Sequence, residues 1–225
     1  MAPDEPIELV GDLPRYVGRG GDKLAGALTA FAIDPAGRSC LDAGSSTGGF
    51  TDCLLQHGAR HVVAVDVGRG QLHPRLREHP AVDVREQTDI RSVDGDGLDP
   101  PVDLVTADLS FIGLAVVLPA LVRLAQVDAD LVLLVKPQFE AGSAVASRTK
   151  GVIRDPAVWR GVLVDAMEAV ADHGAAMMGA MVSPLRGAAG NVEFFVHARN
   201  RPGAQAFPVE ATASALVARA QEAAR

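Results

Sequence analysis

Cysteine is nearly absent from this 225-residue chain: Cys40 and Cys53 are the only two, and they share no CxxC spacing. That excludes a disulfide framework and a cysteine-ligated zinc module, and leaves two reduced thiols facing a core. An excess of positive charge is missing too, since 28 acidic against 21 basic residues give a net charge of −7. Proteins that live on nucleic acid usually carry a basic footprint, so the total charge counts against RNA or DNA unless a basic face is local. No apolar run reaches the roughly 18 residues of a membrane span. The stretch 109–122 is too short and is interrupted by Gly113 and Pro119. With no secretory signal and no internal repeat, the expectation is a soluble cytoplasmic protein with no membrane partner. At 48% hydrophobic content the chain is long enough to bury one full core.

What is present is a glycine turn. Residues 41–51 read Leu-Asp-Ala-Gly-Ser-Ser-Thr-Gly-Gly-Phe-Thr, and the helical pattern Phe50, Cys53, Leu54, Leu55 begins at once. Strand, tight turn and helix start form a loop that can cradle a nucleotide, because glycines let backbone approach a ligand and helix-start N–H groups face it. It is not a P-loop, since no Lys-Ser or Lys-Thr follows the second glycine. The candidate cofactor residues are Asp42, Gly44, Ser45, Ser46, Thr47, Gly48, Gly49 and Phe50. The next β-branched run, 61–65, ends in Asp66, a carboxylate placed for the two hydroxyls of a ribose. Asp42 favours a cationic ligand over a pyrophosphate. Adenosine with a cationic tail is S-adenosylmethionine (SAM), which stands ahead of NAD; a glycine turn that merely closes a strand-helix corner remains the bland reading. Asp89, after Gln87 and Thr88, is a candidate for the adenine side.

The rest of the chain alternates strand and helix. Strands are expected at 81–86, 102–107, 131–135, 176–183 and 191–197, with helices after Asp22, after Phe111 as far as about 126, from Asp155-Pro156 to about 172, and from about 210. Asp22 is expected to cap the first of these. Residues 67–79, with Arg69, His73, Arg75 and Arg77, read as a basic surface helix, and 141–153 as a flexible loop and candidate lid. The expected fold is therefore a doubly wound, Rossmann-like α/β methyltransferase sheet of seven strands, mostly parallel with one antiparallel. Residues 1–14 read as a leader or linker stub and 15–225 as the domain.

The carboxyl ends of such strands gather four polar residues. Asp108 ends the fourth strand, Lys136 ends an uninterrupted apolar fifth, Glu193 falls in the seventh, and Lys23 sits in the first turn of a helix, where the dipole disfavours it. A hydroxyl attacking a methyl group is helped by a positioned proton acceptor, and Lys136 is the candidate base or relay, its protonation state left open. Asp108 also borders the cofactor side. No metal is called for.

Five ordered motifs carry a resemblance: Tyr16-Val17-Gly18-Arg19-Gly20-Gly21-Asp22-Lys23-Leu24, the glycine turn, Ala107-Asp108-Leu109-Ser110-Phe111-Ile112, Val135-Lys136-Pro137-Gln138-Phe139-Glu140 and Gly190-Asn191-Val192-Glu193-Phe194-Phe195. In this order they resemble the TlyA/hemolysin A family of FtsJ-like ribosomal RNA methyltransferases, over about residues 15–200. The resemblance implies a catalytic tetrad Lys23, Asp108, Lys136 and Glu193, SAM held by the 44–49 loop with Asp66, and a methyl acceptor that is the ribose 2′-hydroxyl of a cytidine in ribosomal RNA or a ribosomal subunit. Members of that family carry an N-terminal S4 RNA-binding domain, which the short segment before Tyr16 does not supply, and Gly18 stands where Ser is usual. The alternative acceptor is a small hydroxylated molecule such as a nucleoside. The sequence leaves the oligomeric state open.

Overall fold

In the computed structural model, which describes residues 14–95, 98–187, 189–201 and 207–223, seven strands form one sheet. They are β1 (Ser39–Ala43), β2 (His61–Val65), β3 (Val82–Arg85), β4 (Val102–Ala107), β5 (Ala125–Val135), β6 (Ala176–Val182) and β7 (Phe194–Arg199). Their order is β3-β2-β1-β4-β5-β7-β6, and β7 alone runs antiparallel to both of its neighbours. This is the expected doubly wound sheet with one antiparallel strand. The leader assigned to 1–14 lies, apart from Pro14, outside the described residues.

Each central strand is apolar on both sides because helices cover both faces. Cys40, Val62, Leu104, Val132 and Phe195 turn to one side and pack under α1 (Gly20–Phe31) and α2 (Gly49–Gln56). Leu41, Val63, Val105, Leu131, Leu133 and Phe194 turn to the other, under α4 (Leu114–Leu124), α7 (Pro156–Asp172) and α8 (Val209–Glu222). The short helices α3 (Pro74–Arg77), α5 (Pro137–Glu140) and α6 (Ser143–Arg148) lie in the connections. Both cysteines are buried and free. No helix among the described residues is long and apolar enough to cross a membrane.

Several local expectations need correction. Helix α1 begins at Gly20, so Asp22 lies in its first turn and does not cap it; Arg19 holds the cap position without a side-chain bond. Residues 67–79 hold only the four-residue α3, because Glu86 accepts the N–H groups of Gly70, Gln71 and Leu72 and fixes them as a turn. Arg75 and Arg77 there are spoken for by Asp52 and Glu86. Strand β7 begins one residue after Glu193. The segment 141–153 is partly helical and is tied down at its end, since Asn191 accepts from Ile153 N at 2.9 Å and donates to Gly151 O at 2.8 Å.

The sheet order reverses between β1 and β4, so the connections leaving their carboxyl ends diverge and open a crevice. The candidate site residues lie along that edge.

Candidate active site

The turn after β1 is shaped by close approach. Gly44 has φ 84° and Gly48 φ 98°, and a Cβ on Gly44 would sit 2.6 Å from the Asp108 carbonyl. Gly44 N and Ser45 N both donate to Val65 O, which joins the turn to the end of β2. Asp66 completes the clamp: its Oδ2 accepts from Ser46 N at 2.8 Å and its Oδ1 from Gly68 N at 2.7 Å. A carboxylate has about four acceptor positions, so two remain for a ligand. Gly18 stands against this turn as well, because a Cβ there would lie 2.9 Å from Thr47 Oγ1.

Two cavities open at this edge. The first, of about 580 Å³, is lined by Gly44, Ser46, Asp66, Asp89 and Asp108 among the expected cofactor residues. A small cleft of about 100 Å³ adjoins Gly44, Ser45, Ser46, Thr47, Gly49, Phe50 and Asp108. Two expected residues lie outside both. Gly48 is covered by Leu72 and Leu76, and Asp42 is fully buried beneath the turn. Its Oδ2 takes the Thr51 hydroxyl at 2.6 Å, while its Oδ1 is buried without a partner. Burial pushes the Asp42 carboxyl up to about 7, opposed by the Thr51 bonds and reinforced by the charges of Asp108 and Asp66. Asp89 is also partly committed, because Arg91 binds its carboxylate and holds it down at about 2.

The second cavity, of about 650 Å³, is lined by Lys23, Lys136 and Glu193. Two ion pairs organise it. Lys136 Nζ lies 2.5 Å from Asp108 Oδ1, and Lys23 Nζ lies 2.6 Å from Glu193 Oε2. The four side chains chosen from sequence thus stand as two cation-carboxylate pairs, with Asp108 bordering the first cavity and both lysines the second. Glu193 is buried, and a Cβ on Gly187 would lie 2.5 Å from its Oε1, so the glycine leaves room for the carboxylate.

Three contributors were only motif letters in the sequence. Ser110 Oγ lies 3.1 Å from Lys136 Nζ, and Gln138 Nε2 donates to Glu193 Oε1 at 3.2 Å. Phe111 is 91% exposed with φ 63°, tilts against Phe139 at 4.9 Å, and lines both cavities. An aromatic held open in the left-handed region is the signal that could have singled it out, and only coordinates carry it. Lys136 Nζ thus bonds the Ser110 hydroxyl and stands in ion-pair contact with Asp108 Oδ1, an oxygen that is itself buried without a hydrogen-bond donor.

The model of the family described as FtsJ-like methyltransferase matches residues 16–200. The 16S/23S rRNA (cytidine-2′-O)-methyltransferase TlyA of Mycobacterium tuberculosis is 54% identical over 197 residues, 87% of this chain and 73% of that protein. The 23S rRNA (cytidine-2′-O)-methyltransferase TlyA of Campylobacter jejuni is 36% identical over 191 residues, 85% and 73% of the two chains. A solved structure from Lactococcus lactis that carries the name hemolysin superposes with a TM-score of 0.85 at 37% identity, covering 92% of this chain and 99% of its own.

Proposed function

We propose that this chain, which belongs to the FtsJ-like methyltransferase family, transfers a methyl group from SAM to a ribose 2′-hydroxyl of ribosomal RNA, with cytidine as the modified nucleoside. The observation that carries the reading is the pairing of Lys136 with Asp108 and of Lys23 with Glu193 beside the crevice of the glycine turn. Relatives named for that reaction support the choice of acceptor. Residues 1–14 are read as a leader or linker stub and 15–225 as the FtsJ-like SAM-dependent methyltransferase domain.

The residues present fit SAM. The first cavity is lined by Asp66 and Asp108 together with the Asp89–Arg91 pair, so its uncompensated charge is that of carboxylates, which suits ribose hydroxyls and a cationic tail. Asp42 Oδ1, a buried acceptor without a partner, adds unsatisfied negative character beneath the turn. In this reading Gly44, Ser45, Ser46, Thr47, Gly49 and Phe50 wall the ligand, Asp66 takes ribose hydroxyls with its remaining lone pairs, and Asp89 borders the base. Gly48 shapes the turn from behind. When bound, SAM supplies an electrophilic methyl on a sulfonium sulfur.

Lys136 acts on the acceptor hydroxyl. In this reading the Lys136 nitrogen faces the 2′-oxygen and takes its proton after passing one of its own to Asp108, with Ser110 helping to fix the side chain. Lys23 and Glu193 line the same cavity, and Gln138 holds the Glu193 carboxylate in place. Phe111 offers an exposed ring on which an unpaired base can stack, a common device where RNA is read as single strand.

The test is transfer of labelled methyl from SAM to purified ribosomal subunits, with a small-molecule extract in parallel and Lys136→Ala as control. Label on RNA at an alkali-resistant linkage, absent with the variant, is expected. Label confined to the small-molecule fraction would overturn the acceptor and leave the fold and tetrad serving a small hydroxylated compound.

A further inference from the structure

A single stretch of backbone separates the acceptor cavity from a third one. Asn191 and Glu193 line the cavity that holds the lysines, whereas Gly190 and Val192 line a neighbour of about 370 Å³. Residues 190–193 therefore alternate sides as extended chain does, and form a wall one backbone thick. The polar groups beyond that wall are Arg154, Arg186 and Gln221, with the buried Trp159 among the apolar ones.

These arginines contrast with those of this acidic chain that are held in ion pairs. Arg38, Arg75, Arg77 and Arg91 each meet a carboxylate. Among the described residues, Arg154 and Arg186 have no ion-pair partner; Arg186 reaches only the Gly190 carbonyl, at 3.4 Å, and its own carbonyl accepts from Arg19 Nη2 at 2.9 Å. Both are nonetheless tethered. Asn191, 2% exposed, bonds Gly151 and Ile153 immediately before Arg154, and its carbonyl accepts from Gly187 N immediately after Arg186. The residue that fixes both arginines is thus itself part of the acceptor cavity wall.

We propose that Arg154 and Arg186 form a phosphodiester subsite that grips the acceptor strand next to the methylated ribose, an inference that rests on the RNA reading above. An RNA threaded past Lys136 brings phosphates to the rim of its cavity, and both lysines there are already neutralised by Asp108 and Glu193. A guanidinium is the group suited to the task, since its planar fork binds phosphate through two parallel N–H bonds. Two of them line one cavity without an ion-pair partner among the described residues, which leaves their charge available to an anion.

The experiment compares the full chain with Arg154→Gln, Arg186→Gln, the double variant and the double Lys variant, methylating ribosomal subunits across a salt series. Each Gln variant is expected to raise the KM for RNA about tenfold, the loss of one charge-assisted contact. The double variant flattens the dependence of log(kcat/KM) on log[salt] by about 0.7, the contribution of one phosphate on a single strand. Lysines restore the slope and only part of the affinity. SAM affinity, unchanged in every variant, reports an intact fold. Wild-type KM and slope in the double variant, or a fall in kcat alone at constant KM, would overturn the subsite while the RNA activity stands. Absence of RNA methylation by the wild type itself would remove the RNA reading and this subsite with it.

Discussion

Replacing Asp42 by Asn is expected to stabilise the ligand-free protein at alkaline pH while weakening its hold on SAM. The side chain is fully buried, with one oxygen bonded by Thr51 and the other without a partner. Burial raises its carboxyl from 3.8 to about 7. A group raised in the folded state contributes stability that is present in full below the unfolded value and is lost as pH rises through the folded one. For these two values the loss between pH 5 and pH 8 is about 2–3 kcal/mol. An amide does not titrate, so the variant escapes that loss. The unpaired amide N–H costs about 1–3 kcal/mol at every pH. The stability difference between the proteins should therefore swing toward the variant by about 2–3 kcal/mol from pH 5 to pH 8, roughly 1 M in the urea midpoint. The affinity of the wild type for SAM should rise with pH up to about 7 and level off above it, because the cationic ligand selects the carboxylate. The variant retains any titration of the ligand and lacks this component. Parallel stability curves and parallel SAM affinities for the two proteins across that range would refute the reasoning.

Lys136→Ala should lower kcat at least ~100-fold and leave SAM affinity, measured by calorimetry, within about twofold; unchanged turnover would remove the amine from the reaction. Asp66→Ala should do the reverse, weakening SAM about tenfold or more by releasing Ser46 N and Gly68 N as well as the ribose. In Gly48→Ala the new methyl would lie 2.2 Å from Leu76 Cδ1 at φ 98°, so thermal melts should show a loss of about 1–3 kcal/mol together with weaker SAM binding. Asp130 lies at the far end of the sheet, where burial opposes its charge yet bonds from His197, Arg38 and Arg199 hold its carboxyl well below the ordinary range. Its stability contribution is present above the unfolded value and fades as pH falls below about 4. Asp130→Asn should cost about 3–5 kcal/mol in urea melts at pH 7, with the gap narrowing toward pH 3.

The sheet was legible because its strands are written locally. The runs at 61–65 and 131–135 are apolar and β-branched, and the Asp155-Pro156 pair marks the start of α7 to the residue, with Asp155 accepting from Ala157 N. Asp108 and Lys136 were legible for a different reason, since the carboxyl ends of parallel strands in a doubly wound sheet converge on one edge; Lys23 on α1 and Glu193 at the amino end of the antiparallel β7 reach the same place. What local pattern could not supply was partnership. Residues 67–79 have a helical composition, yet Glu86, fourteen or more residues later for most of its bonds, ties 70–72 into a turn. Asp42 reads as a ligand-facing acid from its place at a strand end, and only the packing of Thr51 shows that it lies beneath the turn. Ser110, Gln138 and Phe111 acquire meaning through Lys136, Glu193 and Phe139, each distant in the chain.

The same distinction resolves the conflict between a net charge of −7 and an RNA acceptor. Total charge counts carboxylates wherever they lie, but an approaching RNA meets only the field outside the protein. Asp52, Asp130 and Glu193 are nearly fully buried, and each is paired with a cation, Asp52 with the exposed Arg75. Arg19 and Arg186 touch carbonyls, and Arg154 has no carboxylate partner among the described residues. An acidic chain organised this way depends on a few cations at fixed positions and not on a broad basic face. Its RNA affinity should then fall only gently with salt, by about 0.7 per phosphate contact. A steep dependence would place the main grip on groups other than these arginines.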